Sequence, residues 1–274
     1  MIRRAVVQGV GHYLPQRVVP NSEFEKTLDT SDEWIRARSG IERRHFAAED
    51  ETTSQLATHA ARAALDDAGL GADDIDAIIL ATSTADLTFP AAATMVQANL
   101  GMTQGFAFDV QAVCAGFVYA LANASALIAS GQAGRVLVIG SETFSRIMDW
   151  TDRGTCVLFG DGAGALVLGA ETGEGTPADR GVLATDLHSD GRYRDILYVD
   201  GGVSTGSAGQ LRMQGREVFR HAIDKLAATA HAALDKAGLD SGDVDWIVPH
   251  QANIRIIQGT AKKLGLPMER VIVT

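Results

Sequence analysis

Cysteine is scarce. The 274 residues contain two, Cys114 and Cys156, lying 42 positions apart. With no cluster of cysteine and histidine near either one, a disulfide framework and a zinc site are both excluded. Proline is scarce too, with 6 against 29 glycines, which excludes collagen-like and low-complexity chains. Positive charge is in deficit: 24 basic against 34 acidic residues give a net charge of −10. That balance disfavours a broad surface for nucleic acid or anionic membrane, though not a local basic patch. The opening residues MIRRAVVQGVGHYLP hold only a short apolar run before glycine and proline. They read as a first strand rather than a signal peptide, and a reducing cytoplasm is the expected compartment. One stretch of 25 uncharged residues, between Asp109 and Arg135, exceeds the ~18 that suggest a membrane span. Its alanines, glycines and scattered Gln111, Asn123 and Ser125 point instead to a buried central helix.

What remains is an ordinary globular composition, 46% hydrophobic and 21% charged, long enough for one large domain or two of average size. The chain also contains its own repeat. Residues 61–79 read ARAALDDAGLGADDIDAII and residues 230–248 read AHAALDKAGLDSGDVDWIV. Each copy is an alanine-rich helix stopped by glycine, then an acidic loop, then an apolar run with the character of a buried strand. A second echo pairs ANLGM at 98–102 with KKLGL at 262–266. Strands apolar on both faces (AIILAT, VLVIG, ALVLG) predict an α/β fold with helices on both sides of a mostly parallel sheet. The reading is a layered αβαβα architecture of two duplicated halves, 1–170 and 171–274, divided at the glycine-rich stretch 171–181. The chain ends where the first copy has reached about residue 105, so the second half is expected to lack its last strand–helix–strand portion.

Cys114, in FAFDVQAVCAGF, follows a strand and opens the long apolar helix. There it is either a small core residue or a nucleophile whose thiolate is favoured by the helix dipole and free backbone N–H groups. Ala115 and Gly116 would let another chain or ligand approach the sulfur. Cys156 sits in an apolar strand pattern and reads as structural, and Gly160–Ala165 reads as a tight turn. His250 closes the second copy's strand where the first copy has Ala81, and α/β strands present functional groups at their carboxyl ends. The other six histidines read as surface residues. Arg255, Lys262 and Lys263 share one helix face, either as a solvated surface or as a dock for an acidic partner.

With these residues together, the chain resembles the β-ketoacyl-acyl-carrier-protein synthase III family of thiolase-fold condensing enzymes. The resemblance rests on DTSDEWIRARSGI (29–41), FDVQAVCAGF (108–117), TDRGT (151–155), FGDGAGA (159–165), LHSDG (187–191), MQGREVF (213–219), VPHQANIRII (248–257) and AKKLG (261–265). It implies Cys114 as acyl carrier and His250 as its catalytic partner, with an asparagine that the family places beyond VIVT. It implies coenzyme A contacts at Trp34, Arg38 and Arg153, with Thr30, Gly215 and Asn253 as further ones. Phe89 would enter the partner's acyl pocket across a homodimer interface. Arg220, Arg255, Lys262 and Lys263 would receive acyl carrier protein. The implied reaction is the initiating condensation of acetyl-coenzyme A with malonyl-carrier protein, coenzyme A being a substrate and no cofactor or metal being needed. Alternatives are a longer or branched starter in polyketide or secondary metabolism, and a non-catalytic subunit that binds carrier protein. The papain-type flank of a cysteine hydrolase is absent around Cys114, and the TSDEW, TDRGT and HQAN motifs argue against a degradative or biosynthetic thiolase.

Overall fold

Strand and helix alternate along the protein, seen here in a computed structural model that describes residues 1–274. The order is β1 (Ile2–Tyr13), β2 (Arg17–Pro20), α1 (Asn21–Phe24), α2 (Asp32–Ser39), β3 (Arg43–Phe46), α3 (Thr53–Ala68), β4 (Ala77–Ala81) and α4 (Ala92–Leu100). Then follow β5 (Phe106–Val110), α5 (Gly116–Ala129), β6 (Arg135–Thr143), β7 (Asp161–Gly173), β8 (Leu197–Val199), β9 (Leu211–Met213), α6 (Gly215–Ala237) and α7 (Ile254–Leu264). These elements form two units. The first holds residues 1–17, 45–144 and 161–185; the second holds 18–44, 145–160 and 186–274.

The first unit is built on one five-stranded sheet in the order β1-β7-β6-β4-β5. Side-chain alternation divides its residues between two cores. Ile78, Leu80, Leu137 and Ile139 face α3 and α4, while Ala77, Ile79, Val136 and Val138 face α5. Helices therefore cover both faces, as the apolar strands predicted. The sheet is mixed, however: β4 is parallel to β5 and β6, whereas β7 is antiparallel to β6 and β1. Two-sided burial follows from the helices and carries no information on strand direction, so the pattern could not show this. Gly162 and Gly164 lie inside β7 and not in a turn. The helix α5 also departs from expectation. Only Gly116, Ala120, Ala124 and Ile128 are buried, a four-residue stripe against the sheet, and Val118 on the other side is 45% exposed. A sheet covers one face of a helix, and small uncharged residues on the other face read the same way in sequence.

Small residues set the closeness of the first core. A Cβ on Gly11 would lie 2.3 Å from the backbone nitrogen of Ala64, and one on Gly9 would lie 2.4 Å from its carbonyl oxygen. The alanine face of α3 thus rests almost directly on β1.

In the second unit α6 packs on α7 around Ala227, Leu264 and Leu266, and Gly259 lets the two helices meet at Ile223. The repeat is visible in the backbone. α3 and α6 end on left-handed Gly69 and Gly238, with matching bonds from Gly69 to Asp66 and Gly238 to Asp235. Each is followed by a short helical turn closed by an acidic residue, Asp74 or Asp243. α4 and α7 end alike on Gly101 and Gly265. The strand expected at VDWIVPH is reduced to one parallel bridge, Ile247 to Val271, with Trp246 62% and Val248 77% exposed. An apolar run becomes a strand only with a paired neighbour, and 271–273 supplies a single bridge.

Gly11→Ala should destabilise the fold by about 2 kcal/mol or more, because backbone atoms of α3 would have to move. Gly164→Ala, whose Cβ meets nothing within 4 Å, should be near neutral in the same denaturant titration. Equal effects would show that the β1–α3 contact is not the constraint.

Candidate active site

In the first unit the parallel strands β4 and β5 end side by side at Ala81 and Val110, level with Gly140 of β6, which runs on to Thr143. From β5 the chain turns through Val113, the one non-glycine residue with positive φ, at 48°. A β-branched residue there costs about 1–3 kcal/mol, which the surrounding core must supply. The Ala115 N–H donates to Ala112 O at 3.1 Å, and α5 begins at Gly116. A Cβ at 116 would lie 3.2 Å from that of Ala81, so glycine lets the helix start over the end of β4. Phe117 packs in the same way over Gly140. Cys114 is thereby presented in the first turn, with its residue exposed.

Its thiol does not behave as the helix dipole alone suggests. Although solvent reaches Cys114, the surrounding protein desolvates the sulfur and pushes its pKa above the ordinary thiol value. The Glu142 charge raises it further, while a backbone N–H hydrogen bond opposes both. Burial, which penalises the thiolate, outweighs the backbone hydrogen bond that favours it.

Glu142 is the group that the sequence reading missed. It lies on β6 two residues past Gly140, with the pKa of its carboxyl raised by burial. Ser83 N–H donates to it at 2.8 Å and Thr82 Oγ1 at 3.3 Å; the Thr84 hydroxyl donates as well. Thr84 Oγ1 also accepts from Thr143 N–H at 2.9 Å, and the Thr53 hydroxyl lies 2.9 Å from that of Thr143. A lone acid closing an apolar strand was the only available signal. Phe89, in the same unit, is 82% exposed.

In the second unit the motifs have local structural work. Ser31 caps α2 by accepting from Trp34 N–H at 3.2 Å, and Asp32 and Glu33 occupy the dipole-favoured first turn. Asp152 accepts from Gly154 N–H and Thr155 Oγ1, both at 2.8 Å, closing the turn that presents Arg153. The structure brings Trp34, Arg38 and Arg153 together: the two guanidinium carbons lie 4.4 and 5.2 Å from the indole centre. Arg153 is also held by Asp29, through its backbone carbonyl and its carboxylate. The nearby Thr30 hydroxyl is buried without a hydrogen-bond partner. Gly215 is the first residue of α6, and Asn253 caps α7 by accepting from Ile256 N–H at 2.9 Å.

His250 follows Pro249 in an irregular segment, and desolvation lowers its imidazole pKa below the ordinary value. It is therefore neutral at pH 7, with one N–H to donate. Arg255 stacks over Phe219, Arg220 pairs with Glu217 at 2.7 Å and Lys263 with Asp224 at 2.5 Å. Lys262 is exposed beside them. Cys156 is fully buried in a turn, not a strand, and its thiol is pushed up to about 11. Buried Arg44 next to it donates to Val19 O and Val157 O. No group of histidine, cysteine and carboxylates is arranged to hold a metal, and no helix is long and apolar enough to cross a membrane.

Arg212 bridges Asp149 and Asp200, both at 2.7 Å, tying the segment that carries Arg153 to β9. Donation from Thr151 first, and from Arg212 second, lowers the Asp149 carboxyl to about 2. The ionised form is favoured in the fold, so this contribution is present above the ordinary Asp value near ~4 and is lost as pH falls toward about 2. Arg212→Ala should raise the Asp149 midpoint and Thr151→Val should raise it further, read by carboxyl NMR titration. Unmoved midpoints would contradict the assignment.

Residues 108–191 match the family model described as 3-oxoacyl-[acyl-carrier-protein (ACP)] synthase III, and residues 234–274 match its C-terminal counterpart. A beta-ketoacyl-[acyl-carrier-protein] synthase III of Ruegeria pomeroyi is 80% identical over 274 residues, covering 100% of this chain and 85% of the relative. The crystal structure of 3-oxoacyl-[acyl-carrier-protein] synthase III from Aquifex aeolicus aligns with a TM-score of 0.91 at 44% identity, over 98% of this chain and 84% of that one. A priming β-ketosynthase of the R1128 polyketide pathway aligns at 0.90 and 36% identity, over 100% of this chain and 81% of that one. Identity at this level along the whole sequence, on a matching α/β backbone, places the chain in the β-ketoacyl-[acyl-carrier-protein] synthase III family.

Proposed function

We propose that the chain catalyses the initiating condensation of fatty-acid synthesis, joining acetyl-coenzyme A to malonyl-acyl carrier protein. The observation that carries this reading is Cys114: a solvent-reached thiol on a strained turn at the carboxyl end of a parallel strand, in a chain of this family. The Cys114 sulfur attacks the acetyl thioester, and coenzyme A leaves with the thiol proton. Malonyl-carrier protein then loses CO2, and the electron pair of the broken C–C bond moves into an enolate. His250, neutral at pH 7, donates its N–H to the thioester oxygen as that charge grows; one such donor is worth about 3 kcal/mol. The enolate carbon attacks the acetyl group, the Cys114 thiolate leaves, and acetoacetyl-carrier protein is released. Splitting the condensation at an acyl-enzyme gives ping-pong order. The steps balance without a redox group or a metal.

The indole of Trp34 with Arg38 and Arg153 suits the adenine end of coenzyme A, with Thr30, Gly215 and Asn253 as further contacts. Arg220, Arg255, Lys262 and Lys263 suit an acidic carrier protein, and three of them already engage acidic or aromatic neighbours that such a partner would compete with. Exposed Phe89 supports a homodimer in which it enters the partner's acyl pocket. The twin helix–glycine–turn phrases support two thiolase-like halves, 1–170 carrying the nucleophile and 171–274 carrying the histidine. We place the enzyme in the cytoplasm.

Incubation with acetyl-coenzyme A and malonyl-carrier protein should yield acetoacetyl-carrier protein and CO2. Cys114→Ala should abolish the product, and His250→Ala should slow malonyl decarboxylation by about 10²- to 10³-fold. Product from a folded Cys114→Ala chain would overturn the reading.

A further inference from the structure

Between β4 and α4 the first unit carries an arm whose tip, residues 87–90, is exposed throughout, Leu87 at 54% and Phe89 at 82%. Its root is fixed first. Thr82 N–H donates to Val110 O at 3.2 Å, Ser83 N–H to Glu142 at 2.8 Å and Thr53 Oγ1 to Thr84 O at 2.6 Å. Two residues further on, Asp86 accepts from Ser54 N–H at 2.9 Å and from Ser54 Oγ at 2.6 Å. Beyond the tip, Asp109 of β5 accepts from Ala92 N–H at 2.8 Å and from Ala93 N–H at 2.7 Å. Only five residues, 87–91, lie between these two anchored points.

Both anchors use the backbone donors that a helix leaves free at its N-terminus. Ser54 lies in the first turn of α3, where an N–H has no acceptor within the helix and the dipole favours a carboxyl. α4 follows Ala91, whose side chain makes no cap, and Asp109 supplies the missing acceptors from another element. The arm is thus tied to a helix on one side of its tip and to a strand on the other. β5 is paired along its length with β4, from which the arm departs, so both ends are referred to one sheet. The same strand end leads through Val110 into the Cys114 turn. One strand therefore sets both the nucleophile of its own protomer and the arm that carries Phe89.

We propose that Asp86 and Asp109 are positioning residues for starter selection. By capping α3 and α4 they hold Phe89 as a rigid wall of the partner's acyl pocket, which admits acetyl over longer acyl groups. This inference rests on the reading of Phe89 as a residue lent across a homodimer. A hydrophobic pocket discriminates one methylene by about 10- to 200-fold, provided that its wall does not yield. Five residues held at both ends leave the Phe89 ring little room to move outward. Released at one end, the ring can retreat by the length of a methylene or two, and the longer starter gains.

The test compares acetyl- and butyryl-coenzyme A as starters for the full chain, by kcat/KM with malonyl-carrier protein. Asp86→Ala and Asp109→Ala should each raise the butyryl-to-acetyl ratio about tenfold. Asp86→Asn and Ser54→Ala, which both keep the bond from Ser54 N–H, should raise it less. A role in stability alone would lower both rates together, so an unmoved ratio in the folded variants would overturn the proposal. If Asp109→Ala does not fold, the Asp86 and Ser54 variants carry the test. Phe89→Ala separates the two readings. If it leaves the ratio unmoved, Phe89 lines no acyl pocket, and that reading and the proposal fall together. If it moves the ratio while the folded Asp86 and Asp109 variants do not, the reading of Phe89 stands and the proposal alone falls.

Discussion

A valine held at a φ of 48° between β5 and α5 is the constraint on which the site depends. Its cost of about 1–3 kcal/mol persists only because the turn is fixed at both ends. On one side β5 is paired along its length with β4. On the other, Gly116 lies against Ala81, and Ala120, Ala124 and Ile128 are sealed against the sheet. The two apolar cores that make the sheet rigid thus also aim the thiol. The closeness of α3 to Gly9 and Gly11 belongs to the same economy, since it fixes β1 and β7, on which β6 is built.

Electrostatics in the two units run in opposite directions. Around Cys114 the groups are uncharged or acidic, and desolvation opposes a resting thiolate. In the second unit charged pairs lie near the surface and act as ties: Arg212 joins Asp149 to Asp200, and Arg153 is drawn to Asp29 while facing Trp34. Exposed pairs of this kind contribute little stability. The pair with Asp29 holds Arg153 where it faces the indole of Trp34, on which Arg38 also lies.

Much of this was legible in the residues. The repeat could be read because glycine after the last helical turn is a local requirement, met at Gly69, Gly101, Gly238 and Gly265 by left-handed backbone. Cys114 stood out through its small neighbours Ala115 and Gly116, and the family motifs stood out because Ser31, Asp152 and Asn253 each make a local cap or turn. What was not legible depends on distant pairing. The antiparallel course of β7, the single bridge at Ile247 and the half-bare face of α5 are decided by neighbours that are not adjacent in sequence. The raised thiol pKa is of the same kind. A helix N-terminus is visible in sequence, but the desolvating protein and the Glu142 charge are assembled only by the fold.

The central claim is that the strained turn presents a sulfur that carries the acyl group. Intact-protein mass spectrometry after incubation with acetyl-coenzyme A, beside a Cys114→Ala variant, tests it most directly. The account predicts one acetyl adduct on the wild-type chain and none on the variant. An adduct that persists in the folded variant, or a folded wild-type chain that stays unmodified by acetyl-coenzyme A, would contradict it.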